Sequence, residues 1–210
     1  MQAPGHLIAL SPGNLRSVAE FPRFLHKLQL ALKAGLPAVL VREPSLPAGE
    51  LLELARSTVV LCRAHPGVWC GVHDSVHAAL DAEADGVHLG FRSLTPGVVR
   101  ECVGERLAIG FSAHVGDSPE AWEGADYLHY GPVYETPSKQ GLLEPVGLPG
   151  LKSFVRQTGL PVFGLGGIHP SRAADVRSSG AGVAVLSGIL GAHDPAQATG
   201  QYLAAIQSHP

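Results

Sequence analysis

Short apolar runs alternate with amphipathic segments along the chain, and this alternation limits the possible folds more than any other feature. Eight runs are predicted to be strands, and they lie at 6–10, 37–42, 68–72, 86–89, 107–111, 126–130, 161–165 and 182–186. Most of them are continuously apolar, which is typical of parallel strands that are covered on both faces. The pattern therefore predicts a parallel sheet packed between helices.

The segments between these runs have helical periodicity. One apolar stripe predicts a helix near 21–32 and consists of Phe21, Phe24, Leu25, Leu28 and Leu32. Further helices are predicted at 48–64, 75–84, 96–103, 149–157, 170–179 and 195–207, with a short helix at 118–124. Ser118 and Asp194 each precede a proline at a predicted helix start, where N-cap residues belong.

Eight strand–helix units in 210 residues predict an α/β fold, a single (β/α)₈ TIM-barrel domain over residues 1–210. A doubly wound open sheet is the alternative fold. No linker or low-complexity segment divides the sequence. In a barrel of this kind, ligands bind at the carboxyl ends of the strands.

Composition excludes several classes of protein. Only 16% of the residues are charged, the net charge is −3, and no basic run suggests a nucleic-acid partner. No apolar run reaches the roughly 18–20 residues that span a bilayer, and the N-terminus lacks the features of a signal peptide. Cys62, Cys70 and Cys102 show no C-x-x-C spacing, which argues against a disulfide framework or a thiolate zinc site. We expect a reduced, cytoplasmic protein.

Polar residues collect where the predicted strands end. They are Ser11, Arg42, Glu43, His73, Asp74, Ser112, His114, Thr136, Ser138 and Lys139, while Gly90 follows the fourth strand. Since these strand ends meet at one mouth of the barrel, the distribution predicts a ligand site there. Arg42 and Glu43 either form an ion pair that holds the mouth together or contact a substrate.

Two glycine-bearing stretches end the last two strands. Gly166 and Gly167 precede a predicted helix, and Ser187 with Gly188 precedes a short turn. Glycine lets the backbone approach a ligand, and free N–H groups at helix starts favour phosphate. The alternative is that these glycines only form tight turns.

Four histidines lie at or near the strand ends. His73, His88 and His114 are interpreted as hydrogen-bonded core residues. His129 lies within a predicted strand. If its neighbours Leu128 and Tyr130 face the helices, His129 faces the barrel interior.

The order and spacing of several stretches resemble the superfamily of thiamine-phosphate synthase and its TenI-type thiazole tautomerase relatives, over about 6–206. The matching stretches are V-R-E (41–43), A-D-G-V-H-L-G (84–90), G-F-S-A-H (110–114), A-D-Y-L-H-Y-G-P-V-Y-E-T-P-S-K (125–139), G-L-G-G-I (164–168) and V-A-V-L-S-G-I (183–189). The resemblance implies a barrel that binds a phosphorylated thiazole. It also implies that the phosphate is held by Thr136, Ser138, Gly166, Gly167, Ser187 and Gly188.

The sequence departs from the synthase pattern at three places. Pro44 stands where synthases carry a lysine, Ser93 where they carry a magnesium-binding aspartate, and His73, Asp74 and Ser75 where they carry N-D-D. These departures favour a thiazole tautomerase that aromatises a thiazole phosphate carboxylate, with no metal and no cofactor. A divergent thiamine-phosphate synthase and a non-catalytic thiazole-phosphate binder are the alternatives.

The resemblance also suggests roles for individual residues. His129 stands where synthases commonly have glycine, and it either supplies an acid/base group or fills space. We expect it to be the main proton carrier because histidine titrates near neutrality, with Glu43 and His114 as further candidates. Substrate binding is assigned to Arg42, Asp74, Ser112 and Lys139. A homodimer is left open.

Overall fold

A computed structural model describes residues 3–136 and 144–207. Its eight strands are parallel, each is hydrogen-bonded to the next in chain order, and the eighth closes the ring by pairing with the first. The strands are β1 Leu7–Leu10, β2 Ala38–Val41, β3 Trp69–His73, β4 Gly86–Leu89, β5 Ala108–Ala113, β6 Tyr127–Tyr130, β7 Val162–Leu165 and β8 Gly182–Val185. The closed ring confirms the (β/α)₈ barrel and excludes the open sheet.

Helices follow seven of the eight strands. They are α1 Phe21–Lys33, α2 Ala48–Arg63, α3 Val76–Asp81, α4 Pro96–Val103, α5 Gly147–Thr158, α6 Pro170–Ser178 and α7 Pro195–Gln207. The crossover from β5 to β6 has only the 3-10 helix Pro119–Trp122, and two other short 3-10 helices lie at Val18–Glu20 and Gly104–Arg106. Within the described ranges, no helix is long and apolar enough to cross a membrane.

One of the two predicted N-caps forms its hydrogen bond. Asp194 accepts a hydrogen bond from the backbone N–H of Gln197 at 2.9 Å, which confirms its capping role. Ser118 is the residue before the 3-10 helix, but its side chain makes no capping hydrogen bond. Ser118 therefore occupies the predicted N-cap position without a capping hydrogen bond.

Both faces of the strands are buried, which explains their continuous apolar sequences. Alternate residues of each strand face the helices, where the α1 stripe packs through Phe21, Phe24, Leu28 and Leu32. The remaining strand residues fill the barrel interior in a second, smaller cluster. The division follows from the two-residue period of a strand.

Large aromatic rings fill the barrel interior beside glycines of the same or a neighbouring strand. A Cβ at Gly71 would lie 2.2 Å from the indole ring of Trp69, and one at Gly182 would lie 2.4 Å from the ring of Phe163. Tyr127 is fully buried in the same cluster. These glycines therefore make room for rings, and the packed rings form a floor beneath the polar mouth.

Candidate active site

Asp74 follows β3 and joins two loops at the barrel mouth. Its Oδ1 accepts hydrogen bonds from the backbone N–H of Gly90, at 2.8 Å, and from the hydroxyl of Ser93. Its Oδ2 lies 3.1 Å from Nδ1 of His73, while 49% of the Asp74 side chain is exposed. The carboxylate thus faces both the protein and the open mouth.

These contacts keep Asp74 ionised. Partial burial alone would raise the pKa of Asp74, but hydrogen bonds from His73, Ser93 and the Gly90 amide outweigh it and lower the pKa well below its ordinary range. A carboxylate offers about four lone-pair positions, and the contacts above leave one of them on Oδ2. A cation or a cationic ligand group can still be bound there.

Glu43 fastens the loop after β1 to the end of β2. It is 3% exposed, and its two oxygens accept hydrogen bonds from the backbone N–H groups of Gly13 and Leu15 at 2.8 and 2.9 Å. The neighbouring Arg42 donates its backbone N–H to Ser11 Oγ at 2.7 Å. The side chains of Arg42 and Glu43, which both lie in the described ranges, form no ion pair. The ion-pair hypothesis is therefore wrong.

His129 faces the barrel interior, as predicted. Leu128 and Tyr130 belong to the core beneath the helices, whereas the His129 ring centre lies 4.0 Å from that of His88 and 5.9 Å from that of Phe163. The side chain is 3% exposed. Its Nε2 is buried and has no hydrogen-bond partner among the described residues.

The burial of His129 changes its chemistry. Desolvation, helped by the nearby His73, lowers the pKa of His129 to about 3. The ring is therefore neutral at pH 7, and the expectation that it titrates near neutrality is wrong. Its acid/base role stays a prediction that this geometry disfavours.

His88 links the floor to the mouth through two hydrogen bonds. Its Nδ1 lies 3.2 Å from Tyr127 Oη, and its Nε2 lies 2.9 Å from Ser112 Oγ. His88 is 1% exposed, which confirms its interpretation as a hydrogen-bonded core histidine. Ser112 is half-buried near the end of β5, which opens at the mouth.

His114 is the most accessible of the three acid/base candidates. It follows β5, and 28% of its side chain is exposed, with Nδ1 at 3.8 Å from Asp117 Oδ2. Its backbone N–H donates to the same Asp117 oxygen at 2.8 Å. The exposed ring of Phe91 packs edge-on against His114 with 6.0 Å between ring centres. The His114 ring is therefore accessible to solvent and to a ligand at the mouth.

The glycine turn after β7 lies against the loop after β6. Gly166 and Gly167 have φ values of 99° and 65°, a region that favours glycine. Tyr134 donates its backbone N–H to the Gly166 carbonyl at 3.1 Å, and a Cβ at Gly167 would lie 2.5 Å from the carbonyl oxygen of Glu135. The half-buried Thr136 follows directly. The tight turn is confirmed, and it brings the two predicted phosphate-binding loops together.

The turn after β8 joins the same group of loops through α7. Tyr202 donates its hydroxyl to the carbonyl of Ile168 at 2.8 Å, and a Cβ at Gly188 would lie 2.3 Å from that hydroxyl. Burial raises the pKa of Tyr202 to about 12, so the phenol stays protonated at neutral pH. The exposed Ser187 precedes Gly188. Three loops therefore meet on one side of the mouth.

The positively charged side chain of Arg172 lies beside these loops. Arg172, in the first turn of α6, donates from Nη1 to the Gly167 carbonyl at 2.9 Å. Its Cζ lies 4.4 Å from the centre of the Tyr134 ring, which is a cation–π distance. Positive charge beside a glycine turn at a helix start favours an anionic ligand.

Two predicted residues fall outside the described part. Ser138 and Lys139 lie between residues 136 and 144, so their roles stay predictions. In the described ranges, no three histidine, cysteine, aspartate or glutamate side chains are grouped so that they could hold a metal ion. A metal at this mouth would therefore depend on Asp74 together with oxygens of its ligand.

The sequence alone did not single out three residues that shape the site. Tyr127 holds His88, Tyr202 supports Gly188, and Arg172 fastens the glycine turn. The only available signal was that Tyr127 and His129 alternate within one strand and must share a face. Nothing in the local sequence distinguishes Arg172 from a solvated helix residue.

Comparison with known proteins supports the family resemblance. The family described as thiamine monophosphate synthase matches residues 16–189. The thiamine-phosphate synthase of Moorella thermoacetica is 41% identical over 171 residues, which are 80% of this chain and 81% of that protein. The thiamine-phosphate synthase of Laribacter hongkongensis is 38% identical over 187 residues, which are 88% of each chain.

Solved structures give the same result. Thiamine phosphate pyrophosphorylase from Pyrococcus furiosus has a TM-score of 0.82 and 29% identity, with 96% of this chain and 95% of that chain covered. A structure described as native KDPGal has a TM-score of 0.70 at 17% identity, and this likeness shows only the shared barrel. The relatives are named as synthases, and none of those cited is named as a tautomerase.

Proposed function

Because this chain belongs to the thiamine monophosphate synthase family, we propose that it is a thiamine-phosphate synthase that joins a pyrimidine diphosphate to a thiazole phosphate. Its place in thiamine biosynthesis follows from the family. Relatives of about 40% identity named as synthases support this activity over the tautomerase that Pro44 and Ser93 favour.

The observation that carries the proposal is the meeting of the three loops after β6, β7 and β8 on one side of the mouth. Gly167, after β7, lies close to Glu135 in the loop after β6. Gly188, after β8, lies close to Tyr202, whose hydroxyl donates a hydrogen bond to the carbonyl of Ile168 after β7. Such turns present backbone N–H groups to an anion. We assign the phosphate of the thiazole to this side, with Thr136, Ser138 and Ser187 as hydroxyl donors.

Asp74 lies on the opposite side of the mouth, after β3. Magnesium is commonly bound by one or two carboxylates together with phosphate oxygens, so the ionised Asp74 meets the minimum requirement for holding it with a diphosphate. When bound, Mg²⁺ would neutralise charge on the departing pyrophosphate. Arg42 and Lys139 are assigned to the anionic groups of the substrates. The reaction forms a bond from the thiazole nitrogen to the pyrimidine methylene carbon and breaks the bond to pyrophosphate.

A second candidate is the thiazole tautomerase. The hydroxyl of Ser93 donates to Asp74 where the resemblance implies a second magnesium-binding carboxylate. A tautomerase needs no pyrophosphate site, and it would use the accessible His114 rather than the buried His129 to move the proton.

One pair of assays separates the candidates. The purified protein is incubated with the pyrimidine diphosphate, the thiazole phosphate and Mg²⁺, and pyrophosphate release is measured. It is also incubated without metal with the thiazole phosphate carboxylate, whose aromatisation is followed by absorbance. We expect the first reaction to proceed. Turnover in the second assay alone would establish the tautomerase, and binding without turnover in either would establish the non-catalytic binder.

Replacement of Asp74 tests its proposed contact with the diphosphate. Asp74→Asn keeps an acceptor for Gly90 but removes the charge, so pyrophosphate release should fall by about 10²-fold or more while the thiazole phosphate still binds. Asp81→Asn, on α3 away from the mouth, is the matched control. Equal turnover of the two variants would contradict the role of Asp74. Cytoplasmic location, the absence of a nucleic-acid partner and a homodimer stay predictions.

A further inference from the structure

A hydrogen-bonded chain of three side chains runs from the barrel floor to the mouth. Tyr127 Oη lies 3.2 Å from His88 Nδ1, and His88 Nε2 lies 2.9 Å from Ser112 Oγ. Tyr127 and His88 are buried, whereas Ser112 is half-buried at the end of β5. The chain therefore connects the dry interior with the place where a ligand is expected.

Each ring nitrogen of His88 lies within hydrogen-bond distance of one hydroxyl oxygen, and a neutral ring has only one N–H group to share between them. Burial lowers the pKa of His88 well below its ordinary value, and the nearby His129, His73 and Arg42 add to this shift. A neutral imidazole has one donor and one acceptor nitrogen. The chain must therefore run in one of two directions, either from Tyr127 towards Ser112 or from Ser112 towards Tyr127.

Tyr127 decides the direction. Its hydroxyl is fully buried, and His88 is its only hydrogen-bond partner among the described residues. If His88 donated to Tyr127, the phenolic hydrogen would be buried without an acceptor, which is unfavourable. If Tyr127 donates instead, every hydrogen in the interior part of the chain has an acceptor.

The packing around His88 holds this arrangement in place. The rings of His73 and His129 both pack against the His88 ring, with centres 5.7 and 4.0 Å from its own. A Cβ at Gly110 would lie 2.4 Å from His88 Nδ1 and 2.2 Å from the Tyr127 ring. The glycine thus lets the phenol reach the imidazole, and the neighbouring rings restrict its rotation.

We infer that Tyr127 and His88 act as positioning residues that fix the hydroxyl of Ser112 as a hydrogen-bond donor to the bound ligand. Tyr127 donates to His88 Nδ1, His88 donates from Nε2 to Ser112 Oγ, and the Ser112 hydrogen points into the mouth. The ligand would present an acceptor there, which is an unprotonated ring nitrogen or a carboxylate oxygen. The identity of the ligand rests on the proposed function, whereas the direction of the chain does not.

Nitrogen NMR of the wild-type protein tests the direction. In protein labelled with ¹⁵N-histidine, ring shifts and couplings report which nitrogen is protonated, and His88→Gln identifies the signal. We expect a neutral His88 with the hydrogen on Nε2. A hydrogen on Nδ1, or a doubly protonated ring at pH 7, would overturn the inference. This measurement needs no substrate.

A double-mutant cycle tests the consequence for binding. Calorimetry with the thiazole phosphate and, separately, with the pyrimidine diphosphate should show that Ser112→Ala weakens the affinity for one of them by about 5- to 10-fold. Tyr127→Phe should weaken the binding of the same ligand by a similar factor. The double variant should bind little more weakly than either single variant, because both changes act on the same donor, the Ser112 hydroxyl.

Tyr130→Phe is the matched control, since it removes a hydroxyl from the same strand on its opposite face, and it should leave binding unchanged. If the losses of binding free energy from Ser112→Ala and Tyr127→Phe were strictly additive, the two residues would not act through one hydrogen-bonded chain, and the inference would be wrong. If the wild-type protein bound neither substrate, the proposed function would fail, while the tautomer of His88 would still decide the direction of the chain.

Discussion

The two sides of the barrel mouth are built by opposite means. On one side, which we call the carboxylate half, Glu43 and Asp74 bind backbone N–H groups of neighbouring loops. On the other, the glycine half, Gly166, Gly167 and Gly188 allow backbones to approach one another closely. The two turns that carry these glycines, at 166–167 and 187–188, contain no acidic side chain, whereas Glu135 lies in the adjoining loop after β6. Arg172 lies beside the turn at Gly167.

This difference separates groups that shape the site from groups that bind a ligand. A carboxylate whose oxygens are occupied by amides is poorly placed to exchange protons. A turn built from glycines, in contrast, leaves its own N–H groups available to an anion. The comparison therefore suggests that Glu43 is architectural, that Asp74 is shared between structure and ligand, and that the glycine half binds the phosphate.

The largest expected effect comes from the carboxylate half. Glu43→Ala leaves the half-buried N–H group of Gly13 and the buried N–H group of Leu15 without acceptors. Each loss costs about 1–3 kcal/mol, so we expect the free energy of unfolding to fall by about 3–5 kcal/mol. Urea denaturation measures this loss. Glu53→Ala, on the exposed face of α2, should cost less than about 0.5 kcal/mol.

Glu43→Gln distinguishes architecture from catalysis. It keeps one acceptor oxygen but turns an amide N–H₂ towards the other donor, so it should lose roughly half of the stability that the alanine variant loses. If the glutamine variant were as stable as the wild-type protein and had no turnover, Glu43 would be a catalytic acid or base instead.

The glycine half offers a matched pair of substitutions. Gly167 and Gly159 both have φ of 65°, but a Cβ at Gly159 would meet nothing within 4 Å, whereas one at Gly167 would lie 2.5 Å from Glu135 O. Gly159→Ala should cost about 1 kcal/mol from the backbone alone. Gly167→Ala should cost about 1–3 kcal/mol more because the loops must separate.

Binding gives the second readout of this pair. Of the two variants, only Gly167→Ala should weaken the binding of the thiazole phosphate, because Gly167 lies where the loops after β6 and β7 meet and Gly159 does not. Equal stabilities for the two variants would show that the close approach at Gly167 contributes little. Glycine would then be required at position 167 only because of its positive φ.

The floor beneath the two halves predicts a dependence on pH. His129 has a pKa of about 3 in the folded protein against roughly 6.5 when unfolded, so the unfolded chain binds more protons between these values. Stability is therefore fully present above about pH 6.5 and falls as the pH decreases towards 3. Between pH 7 and 5 the loss from this residue should be about 2 kcal/mol.

Unfolding of His129→Gln at the two pH values tests this account. The variant should lose about 2 kcal/mol less than the wild-type protein over this interval, whereas His77→Gln, at a histidine whose side chain is 83% exposed, should behave as the wild type does. Turnover provides the contrast. A loss of about 10²–10⁴-fold in His129→Gln, typical of a removed acid or base, would restore the catalytic role that burial disfavours.

The sequence predicted the barrel and the ends of its strands because both depend on local patterns. Continuous apolar runs and the two-residue period specify buried parallel strands and the inward direction of His129. The occupation of Glu43 by Gly13 and Leu15, and the alignment of Tyr127 with His88, are contacts between distant segments. No periodicity encodes them, so the chemistry of those side chains required the folded structure.

The last prediction changes stability least and tests the glycine half most directly. Gly188→Asp is unsuitable because its Cβ would collide with Tyr202, which supports the turn. Ser187 is exposed, so Ser187→Asp should leave the free energy of unfolding within about 0.5 kcal/mol of the wild-type value. It places a negative charge beside the proposed phosphate, and calorimetry should show about 10- to 100-fold weaker binding of the thiazole phosphate. Ser178→Asp, at the exposed C-terminal end of α6, is the control and should bind the thiazole phosphate normally. Unchanged affinity in Ser187→Asp would mean that the glycines only form tight turns.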